Sequence, residues 1–153
     1  MLLMFFVLAA TCLTHAQSLN PSHAGSLGTT LMQSPTAIFI SGNYAYVVGA
    51  SGLEIIDIIN VNAPVHKGNI LDGSGGAVLS GPTSISVSGD FAYITSSSSN
   101  SLEVVDISNP AAPVHKSNIA NGSGGALLNS PTSISISGDF AYIDKMFTPM
   151  AGM

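Results

Sequence analysis

The sequence PVHKGNILDGSGGAVLSGPTSISVSGDFAYI occupies residues 64–94, and a near copy, PVHKSNIANGSGGALLNSPTSISISGDFAYI, occupies residues 113–143. From Leu53 and Leu102 onward, the two copies keep a constant separation of 49 residues. A third, earlier copy of the segment PTSISVSGDFAYI begins at Pro35, as PTAIFISGNYAYV, 47 residues before Pro82. Self-similarity at a fixed period of this length is typical of repeat architectures, so the repeated segment is a building unit.

Each repeat unit contains four short apolar segments separated by turn residues. In residues 83–88, Ile85 and Val87 alternate with serines, which is the period of a β-strand. Gly89 and Asp90 form a tight turn before FAYIT, and the segments LEVVDI and PVHKSNI follow. Four antiparallel strands in about 50 residues describe one blade of a β-propeller. The predicted class is therefore an all-β partial propeller, with a solenoid or a sandwich as alternatives.

The strand segments and their order resemble the LVIVD repeat family of bacterial and archaeal surface proteins. The similarity rests on LEIID at residues 53–57 and on LEVVD at residues 102–106, followed by ISNPAAPVHK, and on SGNYAYV and SGDFAYI before them. The resemblance covers about residues 23–143 and implies an exported, propeller-like protein. The family carries no established catalytic role, so the resemblance implies no active-site residues.

The repeat units divide the chain into residues 35–81, 82–130 and a partial third unit, 131–143. HAGSL at residues 23–27 is a fainter upstream copy of HKGNI. Removal of residues 1–16 would leave 137 residues, about 2.8 units of 49. Within them, the blades are predicted over residues 17–143. Residues 144–153 depart from the pattern. We expect a piece of a longer array, truncated or frame-shifted; the alternative is an intact chain that assembles its propeller from several copies.

The N-terminus predicts export. Residues 2–13 are apolar, and Thr14-His15-Ala16 follow with small residues where a signal peptidase cleaves, so residues 1–16 are expected to be a signal peptide and the chain to be secreted or displayed at the cell surface. No membrane span is expected after cleavage. The alternatives are an uncleaved anchor and a lipidated Cys12, the single cysteine of the chain.

Composition excludes one large class of partners. The chain has three basic residues against eight acidic ones and a formal net charge of -5. Neutralising a phosphate backbone is therefore not expected, and nucleic acid is excluded as a partner.

The repeated polar residues are candidates for chemistry, and each has a structural explanation. Asp57 and Asp106 end apolar strands, where an aspartate commonly accepts hydrogen bonds from the backbone of the following turn. His66 and His115, with His23 upstream, lie on the last strand of a unit; we expect them on the outer rim, bound to backbone or water and too divergent for zinc.

The loops LDGSGG and ANGSGG suggest calcium at first sight. However, Asp72 becomes Asn121 in the second copy, and the carboxylates of a calcium loop are missing. The expected catalytic, cofactor and metal sites are therefore none. We expect a binding or interaction module; the alternatives are a part of a larger propeller enzyme, of hydrolase or lyase class, and a purely structural surface protein.

Strand parity indicates where a ligand would bind. In a four-stranded antiparallel blade, the turn between strands two and three and the connection to the next blade share one end of the blade. These segments differ most between copies: GASG against SSSSNS, and residues 71–81 against 120–130. They are the expected contact for an unidentified protein or glycan. Self-association through open sheet edges is a further expectation.

Overall fold

The computed structural model describes residues 34–50 and 52–145. The first unit forms one antiparallel sheet in which each strand pairs with the next along the chain. Its strands are β1 (Pro35–Ser41), β2 (Tyr44–Gly49), β3 (Gly52–Asp57) and β4 (Val65–Leu71).

The second unit repeats the same sheet, and the third contributes a hairpin. The second sheet contains β5 (Pro82–Ser88), β6 (Phe91–Ser96), β7 (Ser101–Asp106) and β8 (Val114–Ala120), and the hairpin contains β9 (Pro131–Ser137) and β10 (Phe140–Lys145). This confirms the all-β partial propeller with four-stranded blades. Strand β10 continues to Lys145, two residues beyond the expected end of the third unit.

The hairpin turns have a local cause. Gly42, Gly89 and Gly138 each follow the first strand of a unit and adopt φ values of 56°, 55° and 55°. A glycine adopts this left-handed conformation without steric cost, so the sequence SG-Asn/Asp closes the first hairpin of each blade at the same place.

The blades stack face to face through their first strands. Strand β5 packs against β1 and β2 of the preceding blade, and β9 packs in the same way against β5 and β6. Apolar residues from the first two blades form the main core; its members with no exposed surface are Val48, Ile55, Leu79, Ala92, Ile94 and Val105. A smaller core that includes Leu102, Leu128 and Ile134 joins the second blade to the third.

A repeated threonine adds a polar tie between blades. Thr36 Oγ1 donates a hydrogen bond to the carbonyl oxygen of Pro82 at 2.7 Å, and Thr83 Oγ1 donates to that of Pro131 at 2.8 Å. Each proline opens the next blade, so the PT dipeptide fixes where the following first strand begins.

Gly68 allows close approach at the outer side of the first two blades. A Cβ at this position would lie 2.4 Å from the carbonyl oxygen of Pro110, in the loop between β7 and β8. A side chain would collide with this backbone. The first two blades therefore contact each other from their inner strands to their outermost strand, β4.

Among residues 34–50 and 52–145, no helix is long and apolar enough to span a membrane.

We predict that Leu79→Ala lowers the free energy of unfolding by about 2–5 kcal/mol, because it leaves a cavity in the core between blades. Leu79 has no exposed surface, whereas Leu127, one repeat after Val78, is 73% exposed. Leu127→Ala is the matched control, and we expect a change within about 0.5 kcal/mol. Urea unfolding of the full chain measures both, and equal losses would contradict the described packing.

Candidate functional site

A buried glutamate in the second blade connects two strands of that blade to the segment that leads into it from the first blade. Glu103 on β7 has no exposed surface. Its Oε1 lies 2.5 Å from Nδ1 of His115 on β8, and its Oε2 accepts a hydrogen bond from the backbone N–H of Val78 at 3.1 Å. Val78 belongs to the connection that leaves the first blade. The carboxylate therefore joins strand β7, strand β8 and the preceding blade.

The first blade has the equivalent pair. Glu54 is buried on β3, and its Oε2 lies 2.9 Å from Nε2 of His66 on β4. The two atoms are not aligned for a hydrogen bond, and Oε1 of Glu54 has no hydrogen-bond partner in the part of the chain that the structure describes. This glutamate is thus less well satisfied than Glu103.

Burial raises the pKa of Glu54, and its interactions with His66 and Asn69 oppose that rise. A carboxyl whose folded-state pKa is raised keeps its proton at pH values where the unfolded chain has lost it. Stability is therefore expected to fall as pH rises from the usual carboxyl range through the raised pKa.

Register explains how each pair forms. His66 lies opposite Ile56, and a β-bulge precedes this position, so Lys67 is skipped in the pairing. Glu54 lies two residues before Ile56, so the two side chains project from the same face of β3. Because Ile56 lies opposite His66, Glu54 and His66 share that face of the sheet. The second blade repeats this arrangement with Val105 opposite His115 and a bulge at the equivalent place.

The expectation for these histidines was incomplete in one respect. His66 and His115 do lie on the edge strand of each blade, but each lies beside a buried glutamate, a partner that was not predicted. Sequence reasoning missed Glu54 and Glu103. The signal was present: a charged residue inside an apolar strand, followed 12 residues later by histidine, in both copies.

The aspartates that end β3 and β7 act in the following turns. Asp57 Oδ1 accepts a hydrogen bond from the backbone N–H of Ile59 at 3.0 Å, and Asp106 Oδ1 accepts one from that of Ser108 at 3.0 Å. The Ser108 hydroxyl also donates to Asp106, and these bonds lower the pKa of Asp106. The predicted structural role of both aspartates is confirmed.

Asp72 and Asn121 make the same contact in successive connections. Asp72 Oδ1 accepts the backbone N–H of Leu79 at 2.7 Å, and Asn121 Oδ1 accepts that of Leu128 at 2.9 Å. An acceptor oxygen is all this contact requires, so aspartate and asparagine are interchangeable here. The turn interpretation of both loops is confirmed.

The turns between strands two and three and the blade connections lie together at one end of the second blade. Asn100, in the turn between β6 and β7, accepts the backbone N–H of Asn121 through its carbonyl oxygen at 2.8 Å and that of Ser130 through Oδ1 at 2.7 Å. On the other side, the backbone N–H of Ser97 donates to the carbonyl oxygen of Gly81 at 2.8 Å. Hydrogen bonds therefore connect this turn to the blade connections before and after it. We call this end of the blades the loop surface; it comprises residues 72–81, 97–100 and 121–130.

A groove lies beside His115, between the outer strands of the first two blades. It encloses about 320 Å³ and is lined by both polar and apolar residues: Asn69, Ile70, Leu71, Ser74, Gly75, Pro113, Val114 and His115. Of the Glu103–His115 pair, only His115 forms part of its wall.

Within residues 34–50 and 52–145, no group of three or more His, Cys, Asp or Glu side chains is placed to hold a metal ion. His23, Cys12 and the expected cleavage site at Ala16 lie outside the described residues, as do residues 146–153.

Comparison with protein families gives the chain's family. The model of the LVIVD repeat matches residues 35–72, 82–121 and 130–145. The chain belongs to the LVIVD repeat family. Each match starts at or next to a first strand, so one LVIVD repeat corresponds to one blade. A comparison with curated proteins found no match.

A solved structure shares the fold. The crystal structure of a functionally unknown protein from Desulfotomaculum acetoxidans DSM 771 is 18% identical, with a TM-score of 0.58. The match covers 73% of this LVIVD repeat chain and 35% of the Desulfotomaculum chain. The present chain therefore spans about a third of that protein's length, and the likeness shows the fold alone.

We predict that Glu103→Ala lowers the free energy of unfolding by about 3 kcal/mol or more, because it leaves His115 and the Val78 N–H without their buried partner. Asp139→Ala removes an exposed carboxylate and is the matched control, with an expected change within about 0.5 kcal/mol. Urea unfolding of both variants tests this. A Glu103 variant as stable as the control would show that the carboxylate does not hold the blades together.

Proposed function

We propose that this LVIVD repeat chain is an exported binding scaffold, without catalysis, that contacts a polar partner through its loop surface. The observation that carries the proposal is the hydrogen bonding of Asn100, which holds the turn at residues 97–100 against both ends of the connection at residues 121–130. A surface with a fixed backbone binds a ligand at a lower cost in conformational entropy than a mobile loop does.

The chemistry of the loop surface favours an uncharged polar partner. Exposed side chains on it include the hydroxyl groups of Ser98 and Ser123 and the amides of Asn121 and Asn129. The lysines in the described residues lie elsewhere, on β4, β8 and β10. Hydroxyl and amide groups form hydrogen bonds with the hydroxyls of a glycan or with the peptide groups of a protein surface.

The absence of catalysis is proposed on the roles of the repeated polar residues. Asp57, Asp106, Asp72 and Asn121 each accept a backbone hydrogen bond of their own turn or connection. Glu103 has both oxygens engaged. Each of these groups has a structural function that accounts for its recurrence, so none of them requires a substrate to explain it.

Export is proposed on the N-terminal sequence. The apolar residues 2–13 and the small residues before Gln17 predict cleavage after Ala16. We expect mass spectrometry of the protein recovered outside the cytoplasm to show a chain beginning at Gln17. An intact Met1 in a cytoplasmic fraction would contradict export.

The binding proposal predicts that changes on the loop surface weaken ligand capture. After a screen of glycan arrays and immobilised cell-wall proteins identifies a ligand, Ser98→Arg and Asn129→Arg should each weaken binding at least about tenfold, equivalent to about 1.4 kcal/mol. Ser88→Arg, an exposed serine at the opposite end of the second blade, is the matched control and should bind as the unchanged chain does.

Three outcomes would count against the binding proposal. A ligand that tolerates both loop-surface variants would locate recognition elsewhere on the blades. Hydrolase turnover that is lost on changing Asp57, Asp72 or Asp106, with the fold intact by circular dichroism, would show an enzyme. A screen without any ligand would favour a purely structural role.

A further inference from the structure

The first and third blades each expose an apolar face whose equivalents on neighbouring blades are buried or half-buried. On β1, Ile38 is 61% and Ile40 is 62% exposed; on β10, Phe140 is 69% and Tyr142 is 61% exposed. We call Pro35, Ile38 and Ile40 the leading face, and Thr132, Phe140 and Tyr142 the trailing face.

The repeat shows what covers a leading face. Ile85 and Val87 on β5 are the equivalents of Ile38 and Ile40, 47 residues later. Ile85 is 5% exposed, and with Val87 it packs in the core that contains Tyr46 and Tyr44 of the preceding blade. A leading face is therefore covered by the aromatic second strand of another blade.

The repeat also shows what covers a trailing face. Tyr93, the equivalent of Tyr142, packs in the core formed with Ile134 and Ile136 on β9 of the next blade. Ile134 and Ile136 are in turn the equivalents of Ile38 and Ile40. The two exposed faces are thus the two halves of a contact that the chain makes twice within itself.

A polar group on each face completes the match. Thr36 and Thr83 each donate to the proline carbonyl that opens the next blade. Their equivalent, Thr132, donates to the carbonyl oxygen of Asp144 at 3.4 Å, a bond within its own hairpin that Thr36 and Thr83 also make. Pro35 is exposed, whereas Pro82 and Pro131 are fully buried. By position in the repeat, the Pro35 carbonyl is the equivalent of the acceptors at Pro82 and Pro131.

We propose that the trailing face of one chain binds the leading face of a second copy of the same chain. Phe140 and Tyr142 pack on Ile38 and Ile40, and Thr132 donates to the Pro35 carbonyl of the other copy. Because the two faces differ, the contact is heterologous and leads from head to tail. Successive copies then continue the stacking of blades, as a closed ring or an open filament.

One residue limits the apolar area of this contact. Asp144 projects from β10 on the same side as Phe140 and Tyr142, at the position of Thr95 in the second blade. The apolar contact is therefore centred on the two aromatic residues, nearer the hairpin turn.

Two complementary variants test the proposal. Ile40→Asp damages the leading face, and Tyr142→Asp damages the trailing face, with Ile38→Asp and Phe140→Asp as second variants. Sedimentation velocity of the full chain from about 1 to 100 µM, the range in which moderate association is measurable, should show the unchanged chain forming oligomers with concentration. Each variant alone should remain monomeric, and a mixture of the two should form a one-to-one dimer, because each retains the face that the other lacks.

Controls separate this contact from general aggregation. All variants share residues 1–33, so differences between them report on the two faces. Val61→Asp changes another exposed apolar residue, 80% exposed in the loop after β3, and should assemble as the unchanged chain does. Circular dichroism confirms that each variant is folded. An unchanged chain that stays monomeric, a mixture that forms no dimer, or loss of assembly in Val61→Asp would each overturn the proposal.

Discussion

Face-to-face packing of neighbouring blades is the interaction on which the rest of this structure depends. The second strand of the middle blade illustrates the reason. Ile94 faces the first blade's core, and Tyr93, the residue before it, faces the third blade's core. A sheet with apolar side chains on both faces cannot bury them alone, so each blade requires a neighbour on either side. The 49-residue repeat of the sequence reflects this requirement, because each repeat supplies the neighbour of the one before it.

The buried glutamates show how a polar group can belong to such an interface. A carboxylate without exposed surface is costly unless its oxygens have partners. Glu103 meets this condition with one partner in its own blade, His115, and one in the connection from the preceding blade, Val78. The geometry is met when both blades are in register. Loss of the carboxylate would leave one unpaired polar group in its own blade and one in the connection from the preceding blade.

The sequence predicts well the features that are determined locally. Strand alternation around Ile85, the turn at Gly89 and the Asp106 turn depend on residues within a few positions, and the repeat shows each of them more than once. Features that need contact between distant segments were not predicted. The Glu103–His115 pair depends on a β-bulge, and the need for glycine at position 68 depends on the carbonyl of Pro110 in the next blade.

Differences between the copies separate the scaffold from the surface. Where a side chain supports the backbone, substitution preserves the interaction: Asp72 and Asn121 differ in charge but accept the same hydrogen bond. Where a side chain is exposed, the copies diverge, as at Ser98 in the serine-rich turn. Asn100 belongs to the divergent turn but supports the backbone. Its hydrogen bonds fix the chain from which the divergent side chains project. A blade built in this way can change what it presents without changing how it packs.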